Sequence, residues 1–287
     1  MRPCPPCSIA TQSPPMAELS EALRAIQSEP EVRHIISVSG GKDSAALAVY
    51  LKVHHPEIPA EYVFCDTGTE LPETYEFLDK MEAVLDIEIK RVNALEMMGV
   101  KPKPGRNAFD WVLNERYGGY LPNPRMRWCT RILKIKPFEH FVGDTKCFSY
   151  IGIRADEDRE GYVSNKKPPV LSERPNITPV YPLSEAGIRF ADVVSILEES
   201  GLGWPEYYQW RSRSGCFFCF YQQKGEWKNL LKNHPELYEA AKEYERTEGT
   251  QRFTWVDGRT LDDLELDPRE YEVQTPDQAD GCAICHL

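Results

Sequence analysis

The chain has 287 residues, 41% of them hydrophobic, with 34 lysines and arginines against 45 aspartates and glutamates and a formal charge of −11. That apolar share can build the core of one large domain, or of a domain with a smaller appendage, which excludes a fibrous or wholly disordered chain. The acidic balance excludes a protein that holds nucleic acid by bulk electrostatics, so such a substrate needs a local basic patch or a partner.

Taken in order, residues 1–16 are rich in proline and polar groups and read as a loose arm. They lack the uninterrupted apolar core of a signal peptide, and no apolar run anywhere approaches the ~20 residues that span a bilayer. The expectation is a cytoplasmic protein with no membrane partner. Ala17 to Gln27 has helical spacing, Ile35 to Val38 has the length and branching of a buried parallel strand, and a helix follows to about His54. Glu61 to Cys65 reads as a second strand, Thr74 to Leu85 as a helix and IEIKRV as a short strand. The proline-rich, basic stretch KPKPGRNAFDWVLNERYGGYLPNPRMRW reads as a surface loop with one short helix. Cys129 opens an amphipathic helix, TRILKIKPFEHFV, interrupted at Pro137, and CFSYIGIR is another strand. Asp192 to Ser200 is a helix with a carboxylate near its positive end, and a lysine- and glutamate-rich helical region runs from Gly225 to Arg246. Alternating strands and helices imply an α/β fold, a doubly wound parallel sheet with helices on both faces. The division expected is an arm over 1–16, an α/β domain over 17–200, and a smaller, mostly helical, cysteine-bearing region over 201–287.

Between the first strand and its helix stands SGGKDS. A strand-to-helix turn presents unpaired N–H groups and the positive end of a helix dipole, so it suits an anion, and phosphate is the obvious one. The spacing is neither G-x-x-x-x-G-K-[ST] nor G-x-G-x-x-G. It resembles the PP-loop S-G-G-x-D-S of the ATP pyrophosphatases, through Ser39, Gly40, Gly41, Asp43 and Ser44, with Lys42 as a cation. The second strand enters FCDTGTELPET, similar to the F-x-D-T-G-x-E-x-x-E-T stretch of the phosphoadenylyl-sulfate reductase family within that group. RWCTRILKIKP, through Cys129, Lys134 and Pro137, and YIGIRADEDR, through Gly152, Arg154, Glu157 and Arg159, resemble further segments of the family in the same order.

The resemblance implies an adenine nucleotide alpha hydrolase-like fold that cleaves ATP between its α and β phosphates. It implies nucleotide contacts from Ser39, Gly40, Gly41, Lys42, Asp43, Ser44, Asp66, Thr67, Gly68, Gly152 and Arg154, with Asp43 orienting Mg²⁺. Lys42, Asp43, Cys129 and Arg154 are the implied catalytic set.

Nine cysteines in a reducing compartment are not a disulfide framework. Six form the CxxC pairs Cys4 and Cys7, Cys216 and Cys219, and Cys282 and Cys285. Cys216 and Cys219 with Cys129 resemble the [4Fe–4S] site of cluster-bearing members, Cys285 being one candidate fourth ligand; zinc is the alternative. R-x-G-C-x-x-C with a single upstream W-C is closest to the DndC and SspD proteins of DNA phosphorothioation. That likeness implies adenylation of a DNA backbone phosphate, a cysteine desulfurase as sulfur donor, and other modification-complex proteins as partners. The alternatives are a reductase of adenylated sulfate in sulfate assimilation and a non-catalytic nucleotide-binding scaffold. Lys101, Lys103, Arg106, Arg125, Arg127, Arg131, Lys134 and Lys136 form a candidate DNA-facing patch, and Trp204, Trp210 and the nearby tyrosines read as core or rim packing.

Overall fold

A computed structural model describes residues 17–101, 106–157, 172, 174–249 and 252–275. Its elements run α1 (Leu19–Ser28), β1 (Arg33–Ser37), α2 (Lys42–His54), β2 (Ala60–Asp66), α3 (Pro72–Leu85), β3 (Ile89–Asn93), α4 (Ala94–Met97) and α5 (Ala108–Glu115). There follow α6 (Trp128–Thr130), a π-helical turn (Arg131–Ile135), α7 (Lys136–Val142), β4 (Cys147–Tyr150), β5 (Ile177–Val180), α8 (Pro182–Glu185) and α9 (Phe190–Glu199). A 3₁₀ turn (Glu206–Gln209), α10 (Lys224–Asn233), α11 (Pro235–Lys242) and α12 (Leu261–Glu265) complete the order.

The five strands form one parallel sheet in the order β3-β2-β1-β4-β5. The doubly wound α/β fold expected from the alternating pattern is therefore the fold of the chain. β1 is central because His34, Ile35, Ile36 and Ser37 can all be buried. Alternation sends Ile36 into the core with α2, α3 and α9, and Ile35 into the core with Phe138 and Val142 of α7. The chain winds outward from β1 through β2 to β3 and then through β4 to β5, so the order reverses between β1 and β4. In such sheets, ligands bind beyond the carboxyl ends of the strands at that reversal.

Two local expectations are corrected. Pro137 does not interrupt its helix: the backbone stays helical from Trp128 to Val142, and the wide turn at Arg131–Ile135 ends one residue short of the proline, which lacks an N–H. The stretch after Lys101 is more than a surface loop, since Phe109, Val112, Leu113 and Trp128 are buried. These side chains share one core with Trp227, Tyr238, Trp255 and Leu261 of the later helices. The cysteine-bearing region is thus packed onto α4, α5 and α6 by a common apolar interior.

Candidate functional site

The SGGKDS turn leaves β1 at the reversal of the sheet. Gly40 has φ +70°, which glycine adopts without strain, and a Cβ there would lie 2.5 Å from Thr74 Cγ2. A Cβ on Gly41 would lie 2.7 Å from Ser214 Oγ. The turn is fastened by its own serines: Ser39 N–H donates to Ser44 Oγ at 3.0 Å, and that hydroxyl donates to the Gly41 carbonyl at 3.0 Å. The Ser39 and Ser44 hydroxyl oxygens are 3.1 Å apart.

Lys42 and Asp43 open α2 and are 5% and 4% exposed. Arg154, beyond β4 and 5% exposed, donates from Nη1 to Asp43 Oδ1 at 2.8 Å, while Lys42 Nζ donates to Asp43 Oδ2 at 3.0 Å. Asp43 is therefore an anion gripped by two cations at the place where the helix dipole also favours negative charge. Burial alone would lower the Lys42 pKa, but Tyr208 and Asp43 outweigh it and Lys42 is held above its ordinary value, as is Arg154. Gly152 lets the end of β4 meet the first turn of α2, since a Cβ there would stand 2.8 Å from the Asp43 carbonyl oxygen.

Beyond β2, Asp66 accepts from the Gly68 N–H and from the Tyr75 hydroxyl, each at 2.8 Å, and Gly68 takes φ +74°. Thr67 Oγ1 donates to Glu70 Oε1 at 3.0 Å. The carbonyl of Thr69 accepts from the Phe217 N–H at 2.9 Å, which binds the CxxC segment to this loop. Cys216 Sγ is consequently 3.5 Å from Thr67 Oγ1 and 4.0 Å from Glu70 Oε1, and Lys134 Nζ is 3.9 Å from that same oxygen. Glu70 Oε2 is buried without a hydrogen-bond partner.

Cys129 and Cys219 interact, as do Cys216 and Cys219. Burial, with Cys219 adding to it, pushes the Cys129 thiol up to about 12, and burial, with Glu70 adding to it, does the same to Cys216. Among the described residues, no three His, Cys, Asp or Glu side chains gather in a set able to hold a metal ion. The three thiols are neighbours with suitable soft donors, but they do not close a cage. Cys285, Cys4, Cys7, Cys282, Lys103 and Arg159 lie outside the described residues. The proposed basic patch is partly turned inward, because Lys134 is buried beside Glu70 and Lys136 pairs with Glu139 at 2.6 Å.

Residues 207–216 carry contacts that the sequence did not signal. Tyr207, fully buried, donates to the Gly40 carbonyl at 2.6 Å, and the Lys42 N–H reaches Tyr208 Oη at 3.4 Å. The rings of Tyr208 and Phe190 lie 5.3 and 5.9 Å from Lys42 Nζ. Trp204 packs edge-on against both rings, in keeping with a rim-packing role. Arg211, 1% exposed, donates to the carbonyls of Gly215 at 3.2 Å and Cys216 at 2.8 Å. Glu226, fully buried, accepts from Ser212 and from the Gln223 N–H. Dense aromatics in EYYQW were the one available signal; buried charges at 211 and 226 look like solvated ones in a bare sequence.

A glycine turn at the sheet reversal, two buried cations and a thiol group tied to the neighbouring loop define an α/β domain built to handle a phosphorylated nucleotide beside sulfur. Residues 33–222 match the phosphoadenosine phosphosulfate reductase domain, and the chain belongs to that family. An uncharacterised protein of Methanocaldococcus jannaschii is 26% identical over 211 residues, which are 71% of this chain and 40% of that protein. A second from the same archaeon is 25% identical over 206 residues, 70% of this chain and 45% of its own length. An uncharacterised 37.8 kDa protein of Escherichia phage 186 is 26% identical over 260 residues, 74% of each chain. The chain spans less than half the length of the two archaeal relatives. Among solved structures, the phosphoadenylyl-sulfate reductase of Candida auris has a TM-score of 0.46 at 18% identity, covering 71% of this chain and 90% of its own. The U34-tRNA thiolase NcsA of Methanococcus maripaludis, solved with its [4Fe–4S] cluster, has a TM-score of 0.44 at 16% identity, covering 88% of each chain.

Among the described residues, no helix is long and apolar enough to cross a membrane.

Proposed function

We propose that the chain is an ATP pyrophosphatase that adenylates a DNA backbone phosphate so that sulfur can replace one of its oxygens. The observation that carries this reading is the continuity of the site: Tyr207 holds Gly40, Ser214 abuts Gly41, and Cys216 in the same segment abuts Glu70. A nucleotide turn and a thiol group joined by ten residues of chain favour a reaction in which activation and sulfur delivery are coupled.

ATP enters with its phosphates displacing Asp43 from Lys42 and Arg154, which frees that carboxylate to meet Mg²⁺. A phosphate oxygen of the acceptor attacks the α-phosphorus in line, pyrophosphate leaves into the cradle of Ser39 to Ser44, and the acceptor becomes a mixed anhydride with AMP. The persulfide of one site cysteine, loaded by a cysteine desulfurase, attacks the activated acceptor phosphorus through its terminal sulfur. AMP leaves. A second site thiol then attacks the inner sulfur, which forms a Cys–Cys disulfide and releases the phosphorothioate, and an external dithiol reduces the disulfide for the next cycle. A [4Fe–4S] cluster on Cys129, Cys216, Cys219 and a fourth ligand such as Cys285 would supply an alternative sulfur carrier; zinc there would activate a thiolate.

The test is pyrophosphate release by the full-length protein with ATP, Mg²⁺, DNA, a cysteine desulfurase and cysteine. Release that depends on the acceptor, with label from [³⁵S]cysteine in the DNA, is the expected result. No release sinks the reading, and formation of labelled sulfite from separately supplied ³⁵S-labelled adenylated sulfate with a thioredoxin-type reductant would establish the reductase instead. Iron and zinc analysis of anaerobically purified protein decides between the two metals.

A further inference from the structure

We propose that Arg213 and Arg127, mounted around the ring of Tyr221, form the seat for a phosphodiester of a single-stranded nucleic acid acceptor. This deepens the activation reading above and rests on it. The Arg127 guanidinium lies 5.1 Å from the Tyr221 ring centroid and that of Arg213 lies 5.5 Å from it. The ring's negative faces hold the two cations in place and offset part of their repulsion. In a chain with 45 aspartates and glutamates, Arg213 nonetheless makes no hydrogen bond or ion pair among the described residues, and its Nε is buried without a partner. A shielded guanidinium N–H with no acceptor is unfavourable, and an anion at that place would remove the penalty. A guanidinium fork matches two oxygens of one phosphate, which a halide ion cannot offer.

The position of the pair selects the acceptor rather than ATP as its ligand. Arg127 immediately precedes the helix that bears Cys129, Tyr221 stands two residues after Cys219, and Arg213 stands three before Cys216. Arg213 also adjoins Ser214, whose hydroxyl lies against Gly41 of the nucleotide turn. Along the chain such a seat lies between the residue that abuts the glycine turn and the residues that bear the thiols, as an acceptor that first attacks ATP and then receives sulfur requires.

Fluorescence anisotropy of a labelled single-stranded oligothymidylate tests the assignment on the full-length protein, with Arg213→Gln and the exposed Arg127→Gln as separate variants. Each variant is expected to weaken binding about tenfold and to lower the slope of log affinity against log salt by about 0.7. Arg24→Gln, an equal loss of charge on α1, should do neither. Unchanged affinity and slope in both site variants, or no binding by the wild type, overturns the proposal. Inorganic phosphate or sulfate competing as well as the oligonucleotide, per phosphate, shows a free-oxyanion site and overturns the polymer assignment. Wild-type pyrophosphate release is measured in parallel: its absence, with the arginine effects present, removes the activation reading and leaves the nucleic acid seat standing.

Discussion

Arg154 Nη1 donates to Asp43 Oδ1 at 2.8 Å across the reversal of the sheet, and this single contact joins the end of β4 to the first turn of α2. Because Lys42 holds the other carboxylate oxygen at 3.0 Å, both buried cations of the turn are paired with one anion contributed by the chain. Under the proposed function, nucleotide binding is an exchange of one set of oxygens for another.

Asp43→Asn tests that exchange. It leaves two buried cations facing a neutral amide, so stability should fall by about 3–5 kcal/mol, the usual result of breaking a buried pair from one side. If Asp43 passes to Mg²⁺ on binding, pyrophosphate release should also fall by a factor on the order of 100 or more. Addition of pyrophosphate should raise the melting temperature of the variant more than that of the wild type, because the anion refills the vacated place. An equal rise in both proteins would show that Asp43 does not occupy the phosphate position.

Tyr207→Phe removes one hydroxyl and nothing else. The Gly40 carbonyl loses its 2.6 Å bond in a fully buried setting, and the peptide that leads into Gly41 loses the contact that orients it. The expected outcome is an ATP affinity about tenfold lower by titration calorimetry, matching the ~1–3 kcal/mol of an unsatisfied buried acceptor. Unaltered ATP affinity with lowered stability would reduce Tyr207 to a packing residue.

Gly152→Ala places a methyl group 2.8 Å from a backbone oxygen of Asp43, where no flexible side chain can give way. The strand end must shift, carrying Arg154 with it. ATP-dependent activity should drop by at least about tenfold with secondary structure retained by circular dichroism, since a displacement of about an ångström is enough to spoil positioning.

How much of this was legible in the sequence follows from where each signal lies. β1, the SGGKDS turn, α2 and β2 announce themselves because a buried parallel strand must be apolar and a phosphate turn must carry glycine. β5 does not, since ITPV contains Pro179 and no apolar run. The structure shows why that proline is tolerated: β5 is an edge strand, where a missing donor is harmless, and the Pro179 carbonyl still accepts from Ala17 at 3.3 Å. Lys134 reads from sequence as part of a surface patch for the reason that makes Arg211 and Glu226 invisible. A lone charged residue carries no mark of burial, and only the tertiary partner, Glu70 for Lys134 or the Cys216 carbonyl for Arg211, reveals it.

The reactivity of Cys216 should respond to its two charged neighbours in opposite directions. Its thiol is pushed up to about 12 by burial and then by Glu70, with Lys134 opposing, so at neutral pH it is a protonated, weak nucleophile. Glu70→Gln removes the raising carboxylate and should speed alkylation by iodoacetamide, followed by mass spectrometry at pH 8 to 9; Lys134→Met should slow it. Equal rates in all three proteins would place the control of this thiol elsewhere.

The response of stability to acid should trace to His34. This residue is 1% exposed, its ring is stacked against Phe148 and Tyr150 at 5.6 and 6.0 Å, and Nδ1 is 2.8 Å from the Tyr150 hydroxyl. Nε2 is buried with no partner, so an imidazolium here would carry a proton that nothing accepts. Burial accordingly lowers the His34 pKa below 6.5. A group whose folded pKa lies below its unfolded one binds fewer protons when folded. Its contribution to stability is complete above about pH 6.5 and drains away as the pH falls toward the folded value, because the unfolded chain takes up the proton first. His34→Asn can keep a partner for Tyr150 but cannot titrate. The gap in unfolding free energy between wild type and variant, measured by urea denaturation, should therefore narrow from about pH 7.5 to about pH 5. A gap that stays constant across that range would mean that His34 is neutral in both states or charged in both, and that the acid sensitivity of the fold lies with other groups.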